Sequence, residues 1–348
     1  MKLREILLLA VPASMAAAWW LHAPPLVVFI LSCVAVLPLA GFMGEATEHL
    51  AVRTGPTMGG FLNATFGNAA ELIIAIVALN AGLVELVKAS ITGSILGNLL
   101  LILGLSLVAG GAKQETLKFN RTAAGMSAGM LVLAVVALVF PALMHSLRPT
   151  GNEVTELRMS EAVAVILLAT YGASLLFSLR THKRLFGGEP HPTEGTPWGV
   201  GKAVGVLAIA TIGVAIESEI LVHSVEAVTS TLGWSETFLG LIIIPIIGNA
   251  AEHATAVVVA RKGQTELALQ IALGSSTQVA LLIAPILVFV GVLVGAPMNL
   301  AFTTFEVAAV AMATVVVAIS VMDGESNWFE GVQLLAVYLM IGIAAFFI

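Results

Sequence analysis

The 348-residue chain has one cysteine, two tyrosines and only 10% charged residues. A single cysteine excludes an internal disulfide framework. Cys33 lies inside an apolar run and reads as a small buried residue. So little charge excludes an ordinary soluble domain, in which about a quarter of residues are charged. No basic cluster or interleaved basic and aromatic stretch occurs, so there is no nucleic-acid footprint. Long polar segments are nearly missing as well. The one exception is THKRLFGGEPHPTEGTPWG at 181–199, whose Gly and Pro content marks a flexible linker between two halves.

What the chain has in abundance is apolar sequence, 59% of residues with a mean hydropathy of +1.03 and a formal charge of -6. It reads as an all-α integral membrane protein embedded in a lipid bilayer. The N-terminal MKLREILLLAVPASMAAAWW has the outline of a secretory signal. Glu5 is out of place in a signal's basic region, so a first membrane helix is expected. A span needs roughly 20 apolar residues. Eleven candidates fall near 5–22, 25–50, 57–80, 83–110, 120–145, 159–181, 199–230, 236–261, 265–295, 302–322 and 327–348.

Positive charges in alternate loops set orientation. With the N-terminus cytoplasmic, the inner side collects Lys2, Arg4, Arg53, Lys113, Lys118, Arg121, Arg180, Lys183, Arg184, Lys202, Arg261 and Lys262, and the outer side Lys88, Arg148 and Arg158. Twelve against three predicts a multi-pass protein of the cell (inner) membrane with its C-terminus outside.

The pentapeptide GNAAE occurs twice, at 67–71 and 248–252. Sliding the chain by 181 residues also aligns Ala75 with Ala256, Gly82 with Gly263, Glu85 with Glu266, Gly93 with Gly274 and Ser94 with Ser275. Upstream, ATEHLA at 46–51 echoes ESEILV at 217–222, which sets Glu48 opposite Glu219. The expected organisation is a peripheral first helix (1–24), a five-helix repeat (25–181), a cytoplasmic linker (182–198) and a second repeat (199–348). Five spans per half make the repeats inverted, an architecture of secondary transporters whose access alternates between the two sides.

An ionisable residue deep in a span costs on the order of 2.5–3.5 kcal/mol, so the duplicated glutamates call for compensation. Asn68 and Glu71, like Asn249 and Glu252, are three apart and share a face of an ideal helix. Ala75 and Ala78 continue that face in one copy and Ala256 and Val259 in the other, small enough for close helix approach. Gly67 and Gly248 let the backbone open and lend carbonyls, and Pro245 loosens the second copy further. Two carboxylates with amide oxygens suit a hard divalent cation, calcium before magnesium. Lacking cysteine, and with His253 pointing to another side, the set does not suit zinc or copper. Without metal such a pair takes up protons; with metal it excludes them, which is the logic of an antiporter.

Ser94 with Asn98, and Ser275 with Gln278, share helical faces and either complete the coordination or hydrogen-bond across helices. Glu48 and Glu219 read as proton relays or cavity-mouth charges. His49, His223 and His253 read as interfacial or hydrogen-bonded. Glu161, Glu306, Asp323, Glu325 and Glu330 lie near span ends and read as solvated. GMSAG at 125–129 fits a serine-hydrolase pattern, but that motif belongs to a strand-to-helix turn and not an apolar helix. A channel would use the same carboxylates, and single-channel currents would reveal it.

NATFGNAAELIIAIVAL with SITGSILGNLLLILG, IIGNAAEHATAVVVA with ALGSSTQVALLIAP, and DGESNWFEG near the end carry a resemblance across nearly the whole chain. The chain resembles the CAX family of calcium/proton exchangers, within the calcium/cation antiporter superfamily. The resemblance implies an eleven-helix fold with Glu71 and Glu252 as the cation and proton site, assisted by Asn68, Asn249 and nearby carbonyls. It implies that Glu48 and Glu219 match acidic positions of the preceding helices. Calcium is then substrate and protons the counter-substrate, no cofactor is permanently bound, and a homo-oligomer is compatible. The alternative is a sodium-coupled or manganese-preferring exchanger, although sodium/calcium exchangers carry Ser/Thr-rich motifs where this chain has GNAAE. Many relatives have a markedly acidic helix between the halves; here that segment has only Glu189 and Glu194, which argues against cation regulation there.

Overall fold

Backbone polar groups in hydrocarbon must be satisfied within the segment, so apolar runs of this composition become helices. The computed structural model describes residues 3–54, 58–59, 62, 65–112, 114–147, 153–186 and 197–348. Its main helices are α1 (Ala10–Trp19), α2 (Pro25–Thr54), α3 (Ala69–Asn80), α4 (Val84–Gly111), α5 (Arg121–Leu147) and α6 (Glu153–Thr181), followed by α7 (Val200–Leu232), α8 (Glu236–Gly248), α9 (Ala250–Arg261), α10 (Thr265–Val294), α11 (Thr304–Ser320) and α12 (Trp328–Phe346). Among the described residues seven helices are long and apolar enough to cross a membrane, or eight if α8 and α9 form one span.

That count departs from the eleven expected for local reasons. The first span is broken into Leu3–Leu7 and α1. Pro12 has no N–H, and its ring crowds the carbonyl four residues earlier, which disrupts the helix around Leu8. α3 and α11 are shorter apolar helices, and the expected span over 57–80 lies partly outside the described residues. Most of the linker, including Glu189 and Glu194, also lies outside them, as do Lys2, Lys113 and Arg148. The chain is not purely helical: Leu117–Lys118 (β1) pairs antiparallel with Glu325–Ser326 (β2), joining the chain before α5 to the chain before α12.

Glycines set the closest helix crossings. α2 packs along α7, where Gly213 gives room to Leu39. α4 crosses the start of α8. A methyl at Gly93 would stand 2.2 Å from the Leu241 carbonyl oxygen, and one at Gly240 would stand 2.6 Å from the Ala89 methyl. Further along, Gly104 and Gly331 press α4 against α12 backbone to backbone. α10 leans on α6 as α4 leans on α12, and α3 meets the end of α10 as α9 meets the end of α4. α5 packs against α11. α4 is the most enclosed of the long helices, whereas α6 turns most of its apolar surface outward.

Glu306 corrects an expectation. It is buried, not solvated: its carboxylate accepts from Thr303 N at 2.9 Å and Thr303 Oγ1 at 2.7 Å, closing a capping box at the start of α11. Cys33 is half-buried against the core.

Candidate cation site

Both GNAAE motifs interrupt a helix. Asn68 (φ -101°, ψ 25°) precedes α3, and Asn249 (φ -93°, ψ 4°) sits between α8 and α9, whose axes differ by 60°. Pro245 acts before the second break: it cannot donate to the Leu241 carbonyl, and the turn ahead of it, Leu239–Ile243, is π-helical. Asn68 and Asn249 therefore occupy N-cap positions instead of sharing a helical face with the glutamates. Glu71 and Glu252 fall in the first turns of α3 and α9, where the helix dipole favours negative charge.

An N-cap asparagine ordinarily bonds its own helix; neither does so here. Their side chains reach between the halves. Asn249 Nδ2 donates to Ser94 Oγ at 3.2 Å, and Ser94 Oγ donates to Glu71 Oε1 at 2.8 Å. In the matching arrangement Ser275 Oγ donates to Asn68 Oδ1 at 2.8 Å, and Asn68 Nδ2 donates to Gln278 Oε1 at 2.6 Å. Ser275 also lies within reach of Glu252, and it accepts from Asn98 Nδ2 at 2.9 Å. The two glutamates are close enough for their charges to interact. Gly248 makes room for this convergence, since a methyl there would stand 3.1 Å from Glu71 Cγ.

Asn68, Ser94, Asn98, Asn249 and Ser275 are all buried. Within this set Glu71 Oε2, Glu252 Oε2 and Asn249 Oδ1 are buried and accept no hydrogen bond. Three unpartnered acceptors in one enclosed place leave the site short of positive charge, which a bound cation or protons would supply. No group of three or more His, Cys, Asp or Glu able to hold a metal occurs among the described residues. The donor set is instead two carboxylates with amide and hydroxyl oxygens, suited to a hard cation. His253 is buried with Nε2 unpartnered, outside these contacts.

The structure thus gathers Asn68, Glu71, Ser94, Gly248, Asn249, Glu252, Ser275 and Gln278, with Gly67 in the turn before Asn68. Glu48 on α2 and Glu219 on α7 stand outside the cluster, exposed. Sequence reasoning overlooked Glu217, the buried acid of ESEILV. It also gave no hint of the π-helical stretches Gly97–Ile102 in α4 and Val279–Ile283 in α10, which follow the serine-bearing turns. Wide turns of this kind are frequent at functional sites.

A buried acidic cluster between bent apolar helices defines a multi-pass membrane protein that moves cations. The chain belongs to the sodium/calcium exchanger protein family, whose model matches residues 24–180 and 202–347; it is a transporter, not an enzyme. It is similar to the Ca(2+)/H(+) antiporter of Synechocystis, 46% identical over 99% of this chain and 97% of that one. The Ca(2+)/H(+) antiporter of Aphanothece halophytica is 44% identical, over 98% of this chain and 95% of its own. Among solved structures, native YfkE superposes with a TM-score of 0.87 at 40% identity, over 99% of this chain and all of that one. The H+/Ca2+ exchanger CAX, at 14% identity and a TM-score of 0.74 over 99% of this chain and 93% of its own, shares the fold.

Proposed function

We propose that the chain exchanges calcium for protons by alternating access, with calcium and protons competing for Glu71 and Glu252. The observation that carries this reading is the trio of unpartnered buried acceptors, Glu71 Oε2, Glu252 Oε2 and Asn249 Oδ1. Two carboxylates balance one divalent ion or two protons, and one enclosed site does not hold both loads. Asn68, Asn249, Ser94, Ser275 and Gln278 complete the oxygen set, and Gly67 and Gly248 allow the helix breaks. Glu48 and Glu219 serve proton passage at the cavity mouths. The names of the antiporters from Synechocystis and Aphanothece halophytica support the same exchange.

The architecture proposed for alternation is a peripheral first helix with two inverted five-helix repeats, 25–181 and 199–348, joined by a cytoplasmic linker. The reciprocal bonds of Asn249 with Ser94 and Ser275 with Asn68 support it, because the 181-residue offset exchanges one bond for the other. Alternation requires the two access states to bind their ions differently. The N-terminus is cytoplasmic and the C-terminus outside. Calcium uptake by everted vesicles under an imposed pH gradient, with sodium absent, tests the function. Uptake that collapses with the gradient is expected; sodium-dependent uptake alone would assign the chain to sodium coupling.

A further inference from the structure

Glu217, in the middle of α7, is fully buried. Among the described residues no ion pair to its carboxyl occurs. Ser14 Oγ of α1 stands 2.7 Å from Oε1 and 2.8 Å from Oε2, and Ser32 of α2 lies within reach. On the same three helices Ala17, Val28 and Ile220, each three or four residues from Ser14, Ser32 or Glu217, form an apolar cluster. α1 carries no titratable side chain, and no charged group of α2, α3 or α7 is among those acting on Glu217.

Hydrogen counting favours a neutral acid. Ser14 has one hydroxyl hydrogen, and its oxygen is also 2.8 Å from the Val11 carbonyl. Ser32 likewise donates to the Val28 carbonyl at 3.0 Å. An ionised carboxylate would draw both hydrogens away and would still be an unpaired charge in an apolar place, which is costly. A neutral carboxylic acid fits: its O–H donates to Ser14 Oγ, and Ser14 passes its own hydrogen to Val11.

We propose that Glu217 is a proton-holding latch that pins α1 across the α2–α7 pair and so positions those helices beside the cation site. Val214, one turn before Glu217, packs with Leu39 of α2 and with Ala69 and Ala70, the residues between Asn68 and Glu71. Movement of α7 therefore reaches the site backbone directly. The proton on Glu217 is structural; it is not one of those exchanged.

The test uses the full-length protein in proteoliposomes, comparing wild type with Glu217→Gln, Glu217→Ala and Ser14→Ala. Infrared difference spectra at neutral pH are expected to show a buried carboxylic-acid C=O band that is absent from Glu217→Gln and shifted in Ser14→Ala. Glu217→Gln, whose amide keeps a neutral donor toward Ser14, retains exchange. Glu217→Ala and Ser14→Ala lose activity several-fold. Lack of a Glu217 acid band, or loss of exchange in Glu217→Gln as severe as in Glu217→Ala, would overturn the latch. The infrared comparison stands even if Glu217→Ala fails to fold.

Discussion

Gly93→Ala should disconnect the site without touching an ion ligand. The new methyl would lie 2.2 Å from the Leu241 carbonyl oxygen, 2.5 Å from Pro245 Cγ and 2.7 Å from the Leu241 carbonyl carbon. Two of these are backbone atoms, so no rotamer change relieves the clash, and α4 and α8 must part by about 1 Å to restore ordinary contact. Ser94 is the next residue, and its bond from Asn249 is already 3.2 Å long. A further ångström carries it beyond hydrogen-bond range. Overpacking of this kind costs about 1–3 kcal/mol, and here part of it falls on the link between Glu71 and the opposite motif. Calcium uptake in everted vesicles should fall at least tenfold, with a lower melting temperature for the purified protein. Gly274→Ala, at the position 181 residues on, meets nothing within 4 Å and should be tolerated. Wild-type uptake by Gly93→Ala, or equal damage from Gly274→Ala, would refute the reasoning.

Other outcomes follow from the same contacts. Glu71→Gln and Glu252→Gln should each abolish exchange while leaving membrane insertion intact, measured by uptake against protein content in the same vesicles. Ser94→Ala removes the hydroxyl shared by Glu71 and Asn249; losing a buried bond to a charged group costs about 2 kcal/mol, so the apparent KM for calcium should rise roughly 30-fold, an unchanged KM counting against the site. Lowering the pH on the calcium-loading side should raise that KM without lowering the maximal rate, because protons and calcium compete; a purely lower maximal rate would contradict the shared site. Glu48→Gln and Glu219→Gln should slow turnover and leave calcium KM unchanged, since both residues stand outside the cluster.

Much of the candidate site's clustering was legible because it was written twice. Duplication of GNAAE singled out Glu71 and Glu252, and the 181-residue offset singled out Ser94 and Ser275. Helical periodicity failed at Asn68 and Asn249: each sits at a helix break, so its side chain crosses to the other half instead of sharing a face with its glutamate. The π-helical stretches Gly97–Ile102 and Val279–Ile283 were not read from the sequence, because their side-chain pattern is that of any apolar helix. Sequence similarity favoured Glu219 over Glu217, yet α7 turns Glu219 outward and buries Glu217 against Ser14. Glu306, expected in solvent, is drawn inward by its capping box with Thr303. Pro12, easily overlooked in an apolar run, divides the first helix.

Calorimetric titration of the purified protein with calcium, repeated in buffers of different ionisation enthalpy, counts the protons released for each ion bound. Release of protons by the wild type, diminished in both Glu71→Gln and Glu252→Gln, is the expected result. Tight calcium binding with no proton release, or release that both variants leave unchanged, would contradict a site shared by the two ions.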